Sequence, residues 1–248
     1  MTLDKSPDSI HTMFNMIAEN YDKINDIMSF GTQKTAKFKS IKNLDIKPHD
    51  NVIDLCCGTG DLARMIKKIQ PDACVTGIDF SERMLEIGKD KNGNEQKRVT
   101  DQNIKSPFNI GGKDKNQGIR YLKGDVTNLP YEDNSFDIAV MGFGLRNIQN
   151  AEKAVEEVYR ILRPGGQFLH LDFGKKNLIN RIYDKIFPIL IRNFTENHSA
   201  YRYLIKSKEA FPEPKDLIKD FESKGFKLKK REDYLLGVIS AQVMIKQF

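Results

Sequence analysis

No tryptophan occurs among the 248 residues, and only three cysteines do. Three thiols cannot build a disulfide framework, and two of them, Cys56 and Cys57, are adjacent, so reduced thiols in a cytosolic chain are expected. No apolar run approaches the roughly 18 residues needed to span a bilayer. The first residues, MTLDKSPDSI, lack the apolar core of a signal peptide, so no secretory leader is expected. Histidine is also scarce. His11, His49, His170 and His198 are scattered, and no Ser/His/Asp set, paired catalytic carboxylates or metal-ligand cluster stands out. No internal repeat is visible.

What is present is enough for a core. Hydrophobic residues make up 39%, and 15 Phe with 8 Tyr supply bulk, which excludes wholesale disorder. The formal net charge is +6, unevenly distributed: residues 175–248 carry a net of +7 and residues 1–174 a net of −1. A basic last third is compatible with anionic lipid, with nucleic acid or with a solvated charged face. No aromatic-rich RNA-binding module accompanies it, so no nucleic-acid partner is expected.

Hydrophobic periodicity changes along the chain. Residues 8–28 and 34–45 read as helices. NVIDLCCG (51–58), ACVTGID (73–79), IRYLKGD (119–125), SFDIAVMGFG (135–144) and QFLHLDF (167–173) read as buried strands. DLARMIKKI (61–69), SERMLEIGK (81–89) and AEKAVEEVYRIL (151–162) read as amphipathic helices, the second opening on Ser81 as N-cap. RPGG (163–166) reads as a turn, 175–210 as helical, and 215–248 as a helix followed by two strands. The stretch 90–118 is rich in Asn, Gly and Lys and reads as a polar surface insertion. Buried strands alternating with helices predict one α/β domain with a mostly parallel sheet covered on both faces.

The strand-to-helix turn DLCCGTGDLA (54–63) brings backbone N–H groups and glycines to a helix N-terminus, where a ligand can approach closely. It is neither a full dinucleotide fingerprint nor a phosphate loop. About twenty residues on, Asp79 closes the second strand, where a carboxylate accepts both hydroxyls of an adenosine ribose. Asp125 stands at the end of the third strand. The alternative is that both acids merely cap helices.

This set resembles the class I methyltransferases that use S-adenosylmethionine (SAM), whose Rossmann-like sheet has seven strands. The resemblance implies SAM contacts from Asp54, Gly58, Thr59 and Gly60, with Asp79 on the ribose hydroxyls and Phe80 beside the adenine. It places Asp125 and Val126 at the adenine amino group. Three further stretches, AENYDKINDIMSFG (18–31), SFDIAVMGFGLRNI (135–148) and YRILRPGGQFLHLDF (159–173), resemble the UbiE/MenG family, which C-methylates polyprenyl quinols in menaquinone and ubiquinone synthesis. The family's Phe-Gly-Leu-Arg-Asn stands unchanged at 143–147, and AYRYLIKS (200–207) matches its Tyr-Arg-Tyr-Leu segment. Residues that usually follow as His, Trp and a late His are Gln33, Ala36 and Gln242 here, and the usual Glu after Pro-Gly-Gly is Asp172.

By this resemblance the substrate is a polyprenyl quinol, demethylmenaquinol first and the ubiquinone-pathway benzoquinol second. Another small molecule or an RNA as methyl acceptor is the alternative, and a SAM-binding protein without catalysis a third. Arg146 is expected to stabilise the quinol oxyanion, Asn147 to orient the hydroxyl, and Tyr21 to relay a proton. Tyr21, Ser29, Met84 and Gly142 are expected to contact SAM as well. Phe143, Tyr201 and Tyr203 are expected to contact the substrate. The helices of 1–48 are expected over the active site and 175–212 as a helical substrate cap, with the apolar run 186–191 either lining a channel for the prenyl tail or packing in the core. The resemblance further implies a homodimer and a cytoplasmic enzyme, which the basic tail would bring to the membrane surface.

Overall fold

A computed structural model of the chain describes residues 3–29, 31–92, 118–175 and 198–248. The polar insertion and the apolar run 186–191 therefore lie, the first almost wholly and the second wholly, outside the described residues.

Two helices open the chain, α1 (Pro7–Ser29) and α2 (Thr32–Ile41). Strands and helices then alternate: β1 (Asn51–Leu55), α3 (Asp61–Ile69), β2 (Cys74–Asp79), α4 (Glu82–Asn92), β3 (Arg120–Lys123) and β4 (Phe136–Gly142). After α5 (Ala151–Ile161) and β5 (Leu162–Phe173) come α6 (His198–Ala210), α7 (Pro214–Ser223), β6 (Phe226–Tyr234) and β7 (Ile239–Lys246).

The seven strands form one sheet in the order β3-β2-β1-β4-β5-β7-β6. The first five pair in parallel, and β7 runs antiparallel between β5 and β6. The central strands are mainly apolar because both faces are covered. On one face Leu55, Ile78, Met141, Val158, Phe168 and Phe221 pack together, and on the other Val52, Ile66, Val140, Leu169 and Val243 do. A third, smaller core joins α1, α4 and α6 through Met13, Ile17, Ile24, Met84, Tyr201 and Leu204.

Local signals hold at the helix starts. The Ser81 hydroxyl accepts the Met84 N–H at 3.2 Å, and Asn150 accepts the Lys153 N–H at 3.0 Å. The expected turn at 163–166 is an excursion inside β5: the β4–β5 register shifts between Phe136 and Ile138, with Gly165 at φ 78°. The β6 edge carries Lys227, Lys229 and Lys230 outward, which guards an otherwise open row of backbone donors and acceptors. Much of the local basicity is spent on ion pairs, Lys230 to Glu232 at 2.7 Å, Arg231 to Asp233 at 2.9 Å and Lys224 to Glu156 at 2.7 Å.

The strand order reverses between β1 and β4: the chain runs from β1 out to β3 at one edge and then returns to β4. Ligands of such sheets bind in the crevice outside the carboxyl ends of the strands at that point. Leu55, Asp79, Lys123 and Gly142 end their strands there.

Candidate active site

The loop leaving β1 turns sharply through left-handed backbone. Cys56 has φ 54°, Gly58 φ 53° and Gly60 φ 80°. The Cys57 N–H donates to the Ile78 carbonyl and the Gly60 N–H to the Cys57 carbonyl, at 2.9 and 2.8 Å. Phe143, just past β4, is a second non-glycine residue in this region, at φ 59°. Strained conformations of this kind cost on the order of 1–3 kcal/mol each and gather at functional sites. Cys56 and Phe143 both line the crevice.

Gly60 has a different task. A Cβ there would fall 2.1 Å from the Tyr121 hydroxyl, and Gly60 lines neither part of the crevice. The absence of a side chain at Gly60 lets α3 close on a buried tyrosine. Gly60→Ala is expected to lower stability by about 2 kcal/mol, since it combines overpacking with a disfavoured φ. Urea unfolding measures the effect, and an unchanged midpoint would contradict it.

The crevice has two chambers that share Tyr21, Cys56, Gly58, Gly142 and Phe143. The first encloses about 200 Å³ and is lined by Asp79, Phe80, Met84, Asp125, Val126 and Asn147, among others. The Asp79 carboxylate accepts the Gly58 N–H at 2.7 Å on one oxygen and the Ser81 N–H at 2.9 Å on the other. Each oxygen keeps a further lone pair. Burial raises its pKa above the ordinary carboxylate value, against the pull of these backbone donors. Asp125 lies two residues beyond β3, where one oxygen takes the Thr127 N–H and hydroxyl, both at 2.8 Å. It is therefore a turn-forming acid that also lines the chamber.

The second chamber encloses about 460 Å³. Its walls include Ser29, Asp54, Thr59, Phe143, Arg146 and Phe173. Arg146 is 5% and Asp172 1% exposed. Arg146 Nη1 donates to Asp172 Oδ1 at 2.9 Å and to the Phe143 carbonyl at 2.6 Å. The Phe143 and Phe173 rings meet edge to face at 5.6 Å, and the guanidinium lies 5.0 Å from the Phe173 centroid. Thr59 donates to both oxygens of Asp22, at 3.0 and 2.8 Å, which ties the loop to α1. Burial pushes the Tyr21 phenol up to about 12. It also pushes the Asp54 carboxyl up to about 7. Burial raises the Cys56 and Cys57 thiols well above their ordinary range, so both stay protonated.

Several expected residues sit elsewhere. Ser29 faces the second chamber and not the first, its hydroxyl donating to the Asn25 carbonyl at 2.8 Å. Asn147 points into the first chamber while Arg146 points into the second, because the short 3-10 turn 145–147 sends neighbouring side chains apart. Asn147 thus shares the first chamber with Asp79 and Asp125. Tyr201 is buried in the core between α1, α4 and α6, and Tyr203 packs against that core; neither lines a chamber. Gln33 lines the second chamber, but Ala36 is buried beneath it and Gln242 is bonded to His170 at 2.8 Å within the sheet. Asp22, Asn25, Lys37 and Asp172 were not singled out as site residues by sequence reasoning. Asp172 lies 26 positions from Arg146, and only the pairing of β4 with β5 brings the two together.

The chain's polar groups fit SAM. Two buried acceptors, Asp54 Oδ1 and Asn147 Oδ1, have no hydrogen-bond partner among the described residues, and they belong to residues that line different chambers. An acceptor left so at the wall of a cavity is available to a ligand donor. SAM carries such donors at the ammonium of its amino-acid end, on its ribose and on its adenine. No group of three or more metal-ligating side chains gathers among the described residues, and no described helix is long and apolar enough to cross a membrane.

Asp54 gives a pH test. Its carboxyl is raised in the folded state, so folding is favoured while it is protonated, and that advantage is lost as pH rises from about 4 to about 7. Three units correspond to about 4 kcal/mol at about 1.36 kcal/mol each. Without cofactor, Asp54→Asn is expected to raise the melting temperature at pH 8 relative to wild type, the gap closing towards pH 4. A gap independent of pH would contradict this.

Comparison with known proteins agrees with the geometry. Among solved structures, the chain superposes on a SAM-dependent methyltransferase of Thermotoga maritima with a TM-score of 0.66 at 20% identity, covering 96% of this chain and 100% of that one. It also superposes on the phosphoethanolamine N-methyltransferase 2 of Haemonchus contortus in complex with SAM, with a TM-score of 0.61 at 15% identity, covering 86% of this chain and 53% of that one. Identities this low speak for the fold alone. Among curated proteins, the demethylmenaquinone methyltransferase of Lactobacillus johnsonii is 34% identical over 224 residues, 88% of this chain and 84% of that protein. The Listeria monocytogenes protein of the same name is 31% identical over 226 residues, 88% and 87% of the two chains. The ubiE/COQ5 methyltransferase family matches residues 2–246. With the fold, the SAM-shaped acceptors and this whole-chain match in agreement, the chain belongs to the ubiE/COQ5 family of SAM-dependent methyltransferases.

Proposed function

We propose that the chain methylates a ring carbon of a polyprenyl quinol, with demethylmenaquinol, the substrate in the relatives' name, as the preferred acceptor. Arg146 carries this reading. A ring carbon becomes nucleophilic when an adjacent hydroxyl loses its proton. A free phenol has a pKa of about 10, so about 4 kcal/mol opposes ionisation at pH 7. A buried guanidinium in an aromatic-walled chamber, held rigid by Asp172 and the Phe143 carbonyl, lowers that cost. When bound, SAM supplies an electrophilic methyl group. Tyr21 keeps its proton at neutral pH and serves as a hydrogen-bond donor, not as a base. Asp79 and Asn147 hold the nucleoside end from the first chamber.

The test is incubation with labelled SAM and demethylated naphthoquinol and benzoquinol, both reduced beforehand. Label is expected in the naphthoquinol. Labelling of neither, with cofactor bound, would overturn the reading. The ion pairing of Lys224, Lys230 and Arg231 supports a small acceptor over an RNA, whose backbone needs uncommitted cations.

The rim of the second chamber supports contact with a membrane surface. Leu235 and Leu236 stand there in left-handed backbone, Leu236 82% exposed. A prenyl tail resides in the bilayer, so an apolar rim on a basic segment suits its transfer. Replacing both leucines with Asp is expected to reduce co-sedimentation with vesicles containing phosphatidylglycerol several-fold. Undiminished sedimentation would refute the contact.

A further inference from the structure

Three described cations line the second chamber, Lys37, Arg146 and Lys208. The Phe143 and Phe173 rings sort them. Lys37 Nζ lies 5.9 Å from the Phe143 centroid and donates to Asp61 at 3.2 Å. The Arg146 guanidinium touches both rings, 5.8 Å from the Phe143 centroid and 5.0 Å from that of Phe173. Lys208 Nζ lies 5.0 Å from the Phe173 centroid. Arg146 and Lys208 therefore share one ring and are at most twice that distance apart.

Lys208 stands in the last turn of α6 and is 8% exposed. Leu204 and Ile205, one helical turn earlier, line the chamber with it, since residues three and four apart share a helix face. Phe173 pairs with Ile239 across β5 and β7, and the Gly174 N–H donates to the Val238 carbonyl at 2.8 Å. The rim segment 235–239 is thereby brought to the same side. The acids of the chamber, Asp22, Asp54 and Asp61, come from α1, β1 and α3 instead. Among the described lining residues of α6 and of 235–239, Lys208 alone is charged. An ammonium offers three N–H donors and no acceptor, and in an apolar wall its bond to an oxygen is strengthened.

Demethylmenaquinol has two ring oxygens, para to each other. The carbon to be methylated is beside one, and the prenyl chain is beside the other. With the first oxygen on Arg146, the second lies across the ring and the prenyl chain leaves next to it. The chamber repeats that order: Arg146, then Lys208, then the exposed leucines of the rim.

We propose that Lys208 receives the second ring oxygen of the quinol, the one beside the prenyl chain. It thereby selects a para-dihydroxy ring over a monohydroxy one and sets which ring carbon faces the methyl group. The proposal rests on the quinol reading above and adds the orientation of the ring.

Steady-state kinetics with labelled SAM test it, using reduced demethylmenaquinol and the same compound without the hydroxyl beside the prenyl carbon. Wild type is expected to show a KM about tenfold lower for the dihydroxy ring, the size of one charge-assisted hydrogen bond. Lys208→Met should raise that KM about tenfold with kcat little changed, and leave the KM of the monohydroxy compound where it was. Lys208→Arg should keep most of the preference. Should Lys208→Met fail to fold, Lys208→Gln, which keeps a donor without the charge, should narrow the gap between the two KM values. Equal KM values in wild type would overturn the proposal, as would a gap unchanged in either uncharged variant. A KM that rises equally for both compounds would show that Lys208 only packs. A fall in kcat at constant KM would place it at the reacting oxygen, against the proposal. Wild type that methylates neither compound would overturn the quinol reading itself, and this proposal with it.

Discussion

Asp79→Ala is expected to weaken SAM binding by two to four orders of magnitude. Hydrogen bonds to a charged group contribute about 1.5–3 kcal/mol each. Two ribose hydroxyls therefore lose about 3–6 kcal/mol, at about 1.4 kcal/mol per tenfold. The substitution also leaves the Gly58 and Ser81 N–H groups without their acceptor, so the glycine loop loses the group that joins it to the end of β2. Cofactor affinity should fall for both reasons. Asp79→Asn, which keeps an acceptor oxygen but replaces the other with a donor, should fall between the two. Calorimetry that shows undiminished affinity in Asp79→Ala would remove Asp79 from the cofactor site.

Arg146→Ala is expected to reduce turnover by about 10²- to 10³-fold, the usual effect of removing one oxyanion partner, with SAM affinity little changed. The ion pair with Asp172 complicates a single substitution. Removing one member of a buried pair typically costs about 3–5 kcal/mol, because the other charge is left without compensation. Arg146→Met combined with Asp172→Asn removes both charges. It should recover most of the melting temperature lost by Arg146→Ala and none of the turnover. Recovery of turnover in the double variant would show that Arg146 matters only as the partner of Asp172.

The parallel half of the sheet was legible in the residues. Strands covered on both faces are written as continuous apolar runs, and the loop at 56–60 combines glycines with the end of such a run. The acids that close β2 and follow β3 stood out for the same reason. The position of β7 was not legible, because an antiparallel strand inserted between two others has the same local composition as one added at the edge. Among site residues, the direction each side chain faces was not legible. Tyr201 and Tyr203 belong to a family segment, but the turn of α6 directs them to the core shared with α1 and α4. Arg146 and Asn147 are neighbours in sequence and still serve different chambers. Of the three departures from the family pattern, only Gln33 lies on a chamber wall. Ala36 belongs to the core and Gln242 to a bond with His170 within the sheet.

The place of β7 has a consequence for how the molecule is made. It is the last of the seven strands to leave the ribosome, yet it occupies an interior position, bonded to β5 on one side and β6 on the other. Until it arrives, β5 presents an open edge and β6 has no neighbour in the sheet. Folding that follows synthesis therefore stops one strand short, with an apolar edge available to other chains. Arg146 is steadied by Asp172, on the very strand whose far side is still open at that stage. A nascent chain can thus assemble its cofactor crevice from β1, β2 and β4 before the strand that supports its arginine is secured.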